Sequence, residues 1–257
     1  MDKVLFTKEN IDNLLFQLAK EYKKLNRKNI PAEIAIIGGA AIVSKYGFRP
    51  STTDIDSLIF ASSSMKDAIN IVGDRNGLPT GWINEEFRKT SSYTEKIRQY
   101  SKHYKMFAKI LEVRMLPSEY DVAMKLASMR PYKYDMSDAV GIIKSENITR
   151  ELIEKAVVNF YESFENLSHP EEARKLLDSI FSADNLEELY DSTRSSESDN
   201  RVILKDIDDN YPKLLNEGNL ASVLEAAKRK RVRESKEWDK KVLMNISRLA
   251  SYCEKEC

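Results

Sequence analysis

The stretch from Ile34 to Ile59, IAIIGGAAIVSKYGFRPSTTDIDSLI, constrains this chain more than any other. AEIAIIGG is too short for a helix and β-branched enough for a buried strand. GGAAIVSKYG then reads as a short helix, with Gly47 as its expected stop. TTDIDSLIFAS alternates and becomes apolar, as a second strand would. Side chains alternate across a strand, so Asp54 and Asp56 are expected on one face with Ile55 on the other.

Two carboxylates that close repel each other unless positive charge lies between them. Hard divalent cations such as Mg²⁺ take oxygen ligands of this kind and leave positions open for water and phosphate. Gly38 and Gly39 fall where a strand turns into a helix. The missing β-carbon there lets a ligand approach the backbone, and the helix start offers free N–H groups to an anion. Either feature alone has a plain structural explanation, a tight turn or a solvated strand face. In this order and at this spacing they suit phosphoryl or nucleotidyl transfer. The run lacks the G-x-G-x-x-G spacing, and its acids come too early, for dinucleotide binding.

Composition narrows the class. The 257 residues suffice for one large domain or two modest ones, 42% are hydrophobic and 32% charged, and the formal net charge is zero. No whole-chain field attracts nucleic acid, so such a contact needs a local patch. Cys253 and Cys257 are the only cysteines and His103 and His169 the only histidines, too few for a disulfide scaffold or a His/Cys zinc site. The first residues lack the apolar core of a signal peptide, no window approaches a membrane span, and a cytoplasmic location is the expectation.

Along the chain, Ile11, Leu14, Leu15, Leu18 and Tyr22 mark the buried face of an N-terminal helix that Thr7 or Asn10 could cap. A helix is expected at Met65–Val72, and FAKILEVRML reads as a third strand with Glu112 and Arg114 on one face. SEYDVAMKLASMR reads as a helix with Ser118 as cap and Asp121 completing a capping box. Beyond about residue 147 the pattern is helical, interrupted by the polar STRSSESDNR, which reads as a connector, with RVILKDI as a weak strand signal. The expected organisation is an α/β (α+β) domain over 1–146 followed by an all-α helical bundle over 147–257.

IIGGAAIVSKYGFRPSTTDIDSLI resembles the signature of the DNA polymerase beta nucleotidyltransferase superfamily. The Arg-x-Ser-Thr-x-Asp-x-Asp form from Arg49 to Asp56 is similar to the minimal nucleotidyltransferases that include the AbiEii-type toxins. GWINEEF at Gly81–Phe87 resembles a Trp-Leu-Asn-Asp-like segment of that group. LPSEYDVAMKLASMRPYKYDMSDAV resembles its lysine-bearing helix followed by a Lys-x-x-Asp-x-x-Asp-like element. The resemblance covers about residues 30–145 and implies a mixed-sheet nucleotidyltransferase fold that binds a nucleoside triphosphate with Mg²⁺ or Mn²⁺.

It implies Gly38 and Gly39 as the phosphate turn, Asp54 and Asp56 as metal ligands, Lys125 toward a triphosphate, and Asp135 and Asp138 as supporting acids. Polymerase-type members use a third strand carboxylate, for which Glu112 is the candidate. Glu112 could ligate metal or act as a base, or could instead pair with Arg114 or Lys109. Arg49, Ser51, Thr52 and Thr53 could hydrogen-bond phosphate oxygens, and Trp82 and Asn84 could line the site.

KRKRVRESKEWDKK, Lys228–Lys241, carries eight basic and three acidic residues. Lys228, Arg229, Lys230, Arg231 and Arg233 could contact nucleic acid, with Trp238 stacking on a base, or form a solvated helix face. The expected function is metal-dependent transfer of a nucleoside monophosphate from a triphosphate to a hydroxyl of RNA such as tRNA, or of protein. A toxin role with an antitoxin partner is part of that expectation. The alternative is a catalytically weak nucleotide-binding or partner-binding scaffold.

Overall fold

The computed structural model describes residues 4–216, 218–231 and 233. Trp238, Cys253, Cys257 and the basic residues beyond Arg233 lie outside the described residues.

Helix α1, Lys8–Leu25, is closed at its start by Thr7 and Asn10, whose side chains each accept from the other's backbone N–H. Its Ile11, Leu14, Leu15, Leu18 and Tyr22 are all buried, as their spacing predicts. Strand β1, Ala32–Ile36, leads into α2, Gly38–Lys45, and then β2, Ile55–Phe60, so the strand–glycine–helix–strand reading holds. Next come α3, Ser64–Arg75, the two-residue β3, Ile83–Asn84, and a single turn α4, Ile97–Tyr100. Strands β4, Lys102–Phe107, and β5, Leu111–Met115, follow. The chain continues in α5, Ser118–Ser128, α6, Asp135–Glu146, α7, Arg150–Tyr161, α8, Pro170–Ser182, and α9, Leu186–Asn210.

The five strands form one mixed sheet in the order β3-β2-β1-β5-β4. β1 runs antiparallel to β2 and parallel to β5, so chemistry carried on β2 lies one strand from the centre. One face, including Ile34, Ile36, Val113 and Met115, shares a core with α1 and α3. The other face contributes Ala35, Ile37 and Leu58 to a core built with α5, α6 and α7.

Three expectations are corrected. FAKILEVRML is a hairpin: Ala108 (φ 48°) and Lys109 (φ 58°) turn the chain, and Phe107 pairs with Leu111. Two positive φ values define a type I′ turn, normally written Asn-Gly or Asp-Gly, so Ala-Lys hides it. Ser118 and Asp121 do not cap α5. Ser118 accepts from the Tyr46 hydroxyl at 2.9 Å, and Asp121 is buried against Lys45 and Tyr46. STRSSESDNR is not a connector, nor RVILKDI a strand, for both lie inside α9. Glu197 and Asn200 are buried there, and the Asn200 amide donates to the Pro131 carbonyl at 2.7 Å.

The described residues form two compact units, the first comprising those up to Met129 with Tyr134–Arg194, the second Arg130–Lys133 with the described residues from Ser195 on. The expected boundary at 146/147 falls inside the first unit. Ile153, Ala156, Val157 and Phe160 of α7 and Ala173, Leu177 and Ile180 of α8 join the same core as Val122, Ala123 and Leu126 of α5. The second unit has its own small core of Ile203, Leu204 and Leu224, flanked by Tyr132, Ile207 and Leu220. No helix among the described residues is long and apolar enough to cross a membrane.

Candidate nucleotide site

β1 delivers the chain to Gly38, whose φ of 61° favours glycine, and α2 begins there. No side chain caps this helix start. The Ile37 N–H donates to the Asp56 carbonyl at 3.0 Å, which pins the turn beside the acid pair. A β-carbon added to Gly38 would meet Asp56 Oδ2 at 3.3 Å. One added to Gly39 would meet Thr52 Oγ1 at 2.5 Å and an Arg49 amino nitrogen at 3.1 Å. The glycines therefore stand directly against the side chains that follow them in sequence, and any larger residue would displace those groups.

The loop carrying these side chains is held at its base. Thr52 is buried, and its backbone exchanges hydrogen bonds with Phe6 at 2.8 and 2.9 Å. Its hydroxyl reaches Asp54 Oδ1 at 3.5 Å. Asp54 is exposed, and among the described residues no cation pairs with it, whereas Asp56 is half-buried on β2. Ser51 is half-buried and its carbonyl accepts from Arg49 Nε at 3.2 Å, while Thr53 is exposed. Two carboxylates one residue apart, Asp54 just before β2 and Asp56 on it, are oxygen donors of the kind that suits Mg²⁺ or Mn²⁺. Among the described residues no group of three or more His, Cys, Asp and Glu side chains gathers around one point.

Behind the turn lies a buried ionic cluster. Lys125 Nζ sits 3.0 Å from Asp135 Oδ1 and 2.9 Å from Asp138 Oδ2, and Arg49 contacts the same Asp138 oxygen at 2.6 Å. Burial works to lower the Lys125 pKa, yet Asp138 and Asp135 outweigh it and hold the ammonium above the ordinary lysine range. Lys125 thus lies inside, neutralised by both acids, with its side chain 10% exposed. Asp135 and Asp138 occupy the first turn of α6, where the helix dipole also favours negative charge. Arg194 of α9 approaches Asp138 Oδ1 at 3.8 Å, a distance beyond a hydrogen bond.

Shape places Arg49 as well as charge. Gly141 lies three residues after Asp138 on α6, and the Phe48 ring fills the space where its β-carbon would be, at 2.7 Å. Phe48 and Arg49 therefore dock on successive turns of one helix face. A second ionic tie joins α2 to α5, where Lys45 Nζ donates to Asp121 Oδ2 at 2.7 Å and to the Leu116 carbonyl at 2.6 Å. Burial pushes the Asp121 carboxyl up, and Lys45 pulls it the other way.

Glu112 is not brought to this end. It shares the sheet face of Asp56, but it stands level with Glu33 whereas Asp56 stands level with Ile37. Four residues of strand separate those rows, roughly 13 Å. Its Oε1 lies 3.1 Å from an Arg114 amino group and 3.3 Å from His103 Nδ1. An open groove of about 320 Å³ occupies this far end, lined by Glu33, Phe60, Arg98, Met106 and Glu112. Trp82 is a core plug: it is buried, donates to the Ile69 carbonyl at 3.1 Å and stacks near Phe6. Asn84 pairs in register with Asp56, and its side chain holds its own loop through Gly81 and Glu86.

In the second unit, Lys228, Arg229, Lys230 and Arg231 fall within a helix over 220–231, and Arg233 is also helical. Arg229, Lys230, Arg231 and Arg233 are exposed, and the pairs Lys228–Glu225 and Arg231–Asp206 are loose at 3.9 Å.

Residues 13–184 match the family described as "Nucleotidyltransferase of unknown function (DUF6036)". No curated protein and no solved structure matches the chain. The matched segment runs from α1 through α8, includes the glycine turn, the acid pair and the Lys125 cluster, and covers two thirds of the sequence. The chain belongs to this family of nucleotidyltransferases.

Proposed function

We propose that the chain is a metal-dependent nucleotidyltransferase that moves a nucleoside monophosphate from a nucleoside triphosphate to a hydroxyl acceptor. The observation that carries this reading is the contact between turn and acids: Gly38 against the Asp56 carboxylate, Gly39 against Thr52 and Arg49. Phosphate oxygens accepted by the backbone at the start of α2 would lie beside the carboxylates. Asp54 and Asp56 would hold Mg²⁺ or Mn²⁺, which when bound supplies positive charge to the phosphates. Arg49, fixed by Asp138 on one side, offers its remaining donors to phosphate. Lys125 serves this site from behind, by holding the two acids that hold Arg49 and α6. The acceptor hydroxyl would then attack the α-phosphorus as pyrophosphate leaves.

RNA such as tRNA fits the exposed basic residues Arg229, Lys230, Arg231 and Arg233 beside the half-buried Lys228, and a protein hydroxyl is the other acceptor. The AbiEii-like motifs favour a toxin role with an antitoxin as partner. The purified chain, incubated with each α-labelled triphosphate, Mg²⁺ and total RNA or protein, is expected to label one pool. The double variant Asp54→Asn, Asp56→Asn is expected to abolish labelling, and undiminished transfer by that variant would refute the reading.

A second reading, a nucleotide-binding scaffold with little turnover, draws on Glu112, which is engaged by Arg114 and His103 away from the acid pair. Mg²⁺-dependent nucleotide binding without any labelled acceptor would favour it.

A further inference from the structure

Arg194 is the cation of the buried cluster whose hydrogen-bonding capacity is least used. Its NH1 reaches Ser137 Oγ at 3.5 Å and stands 3.8 Å from Asp138 Oδ1, leaving its other N–H donors without an acceptor among the described residues. The guanidinium carbon lies over the Tyr134 ring, 3.4 Å from the centroid, and the side chain keeps 26% of its exposure. Tyr134 has φ 63°, a left-handed conformation uncommon for an aromatic residue, and it directly precedes α6. Strain of this kind persists where surrounding structure demands it and gathers at ligand sites. Here it sets the ring that supports Arg194.

An arginine whose only task was to neutralise Asp138 would close the last fraction of an ångström and hydrogen-bond Oδ1. That oxygen is instead buried without a hydrogen-bond partner. Lys125 and Arg49 already share Oδ2, so the Asp138 carboxylate is balanced without a closer approach by Arg194. Arg49 stands at the glycine turn, and Arg194 on the opposite oxygen of the same carboxylate. A stacked guanidinium with idle donors beside a phosphate-facing arginine is prearranged for a further phosphate.

We infer that Arg194 is a second phosphate-binding arginine of the nucleotide site and takes the terminal phosphates of a triphosphate. This rests on the nucleotide reading above and adds a discrimination to it: triphosphate over monophosphate, independent of the base.

The test is calorimetric, on the full chain, with the four nucleoside triphosphates, the matching monophosphates, and inorganic tripolyphosphate with Mg²⁺ as a base-free probe. Arg194→Ala is expected to weaken triphosphate and tripolyphosphate binding about tenfold or more, as loss of a charge-assisted hydrogen bond does, and to leave monophosphate binding unchanged. Arg194→Lys should recover part of the loss. Monophosphate affinity at the wild-type level certifies that a variant is folded, and Arg194→Gln decides the matter if the alanine variant does not fold. Wild-type triphosphate affinity in these variants, or equal loss of tri- and monophosphate, overturns the inference while the nucleotide site stands. A wild-type chain that binds no triphosphate sinks both.

Discussion

One face of the sheet carries two ionic clusters, and they are built in opposite ways. At the Asp56 end, Lys125, Asp135 and Asp138 are buried and Arg49 half-buried, and they come from α5, α6 and the loop before β2. At the Glu112 end, Arg114 and His103 come from β5 itself and its hairpin partner, with His103 57% exposed. The buried cluster has lost its water and keeps its geometry only while every partner stays. The exposed one can exchange each contact for solvent at little cost. Positioning of a substrate requires the first kind of construction, and its occurrence behind the glycine turn singles out that end.

The widest separation between the two ends is expected in catalysis. Asp54→Asn or Asp56→Asn should each reduce labelled transfer about a hundredfold or more, in line with losing a group that acts on developing charge. Glu112→Gln should stay within about twofold of the wild type. A Glu112→Gln loss as large as that of the aspartates would erase the distinction and restore Glu112 as the third carboxylate.

Stability should divide the same way. Lys125→Met removes a cation that two buried acids share, and urea unfolding is expected to show a loss of about 3–5 kcal/mol. Because the folded-state pKa of Lys125 is raised, its contribution is complete below the ordinary lysine value of about 10.4 and disappears as pH climbs through the folded value. The gap between wild type and Lys125→Met should therefore hold steady from neutral to mildly alkaline pH and narrow above it. A gap that closed as the pH fell toward neutrality would contradict this assignment of the charge.

Gly39→Ala comes next, with an expected cost of about 1–3 kcal/mol, since the methyl group meets Thr52 Oγ1 and Arg49. Nucleotide affinity should fall with it, and a variant that binds triphosphate normally would detach the turn from the site. Smallest is Glu112→Gln in the unfolding assay, expected to shift stability by less than about 1 kcal/mol.

The centre of the molecule was readable from sequence because its signals are local. The α1 face, the glycine pair at the start of α2 and the strand that carries Asp56 each lie within one element or one turn. The hairpin escaped because Ala108-Lys109 adopts a turn usually marked by asparagine and glycine. The sequence marks Lys125 as a charge but not as a buried one, since nothing near it in the chain tells that two acids of α6 close over it. Arg194 gave no signal at all: its partners Tyr134 and Asp138 lie more than fifty residues away. STRSSESDNR looked like a linker because serine and aspartate are indifferent helix formers, and tertiary burial of Glu197 and Asn200 outweighed that preference.

The seat of Phe48 on Gly141 has a consequence for ionic strength. Dispersion contacts are blind to added electrolyte, whereas attraction between a phosphate and an exposed cation fades beyond a Debye length of about 8 Å at physiological salt. Arg49 is thus aligned by a wedge of hydrocarbon that salt cannot loosen, even as salt slows the approach of an anionic ligand. Raising the electrolyte should make arrival slower while the orientation that greets the arriving phosphate stays the same.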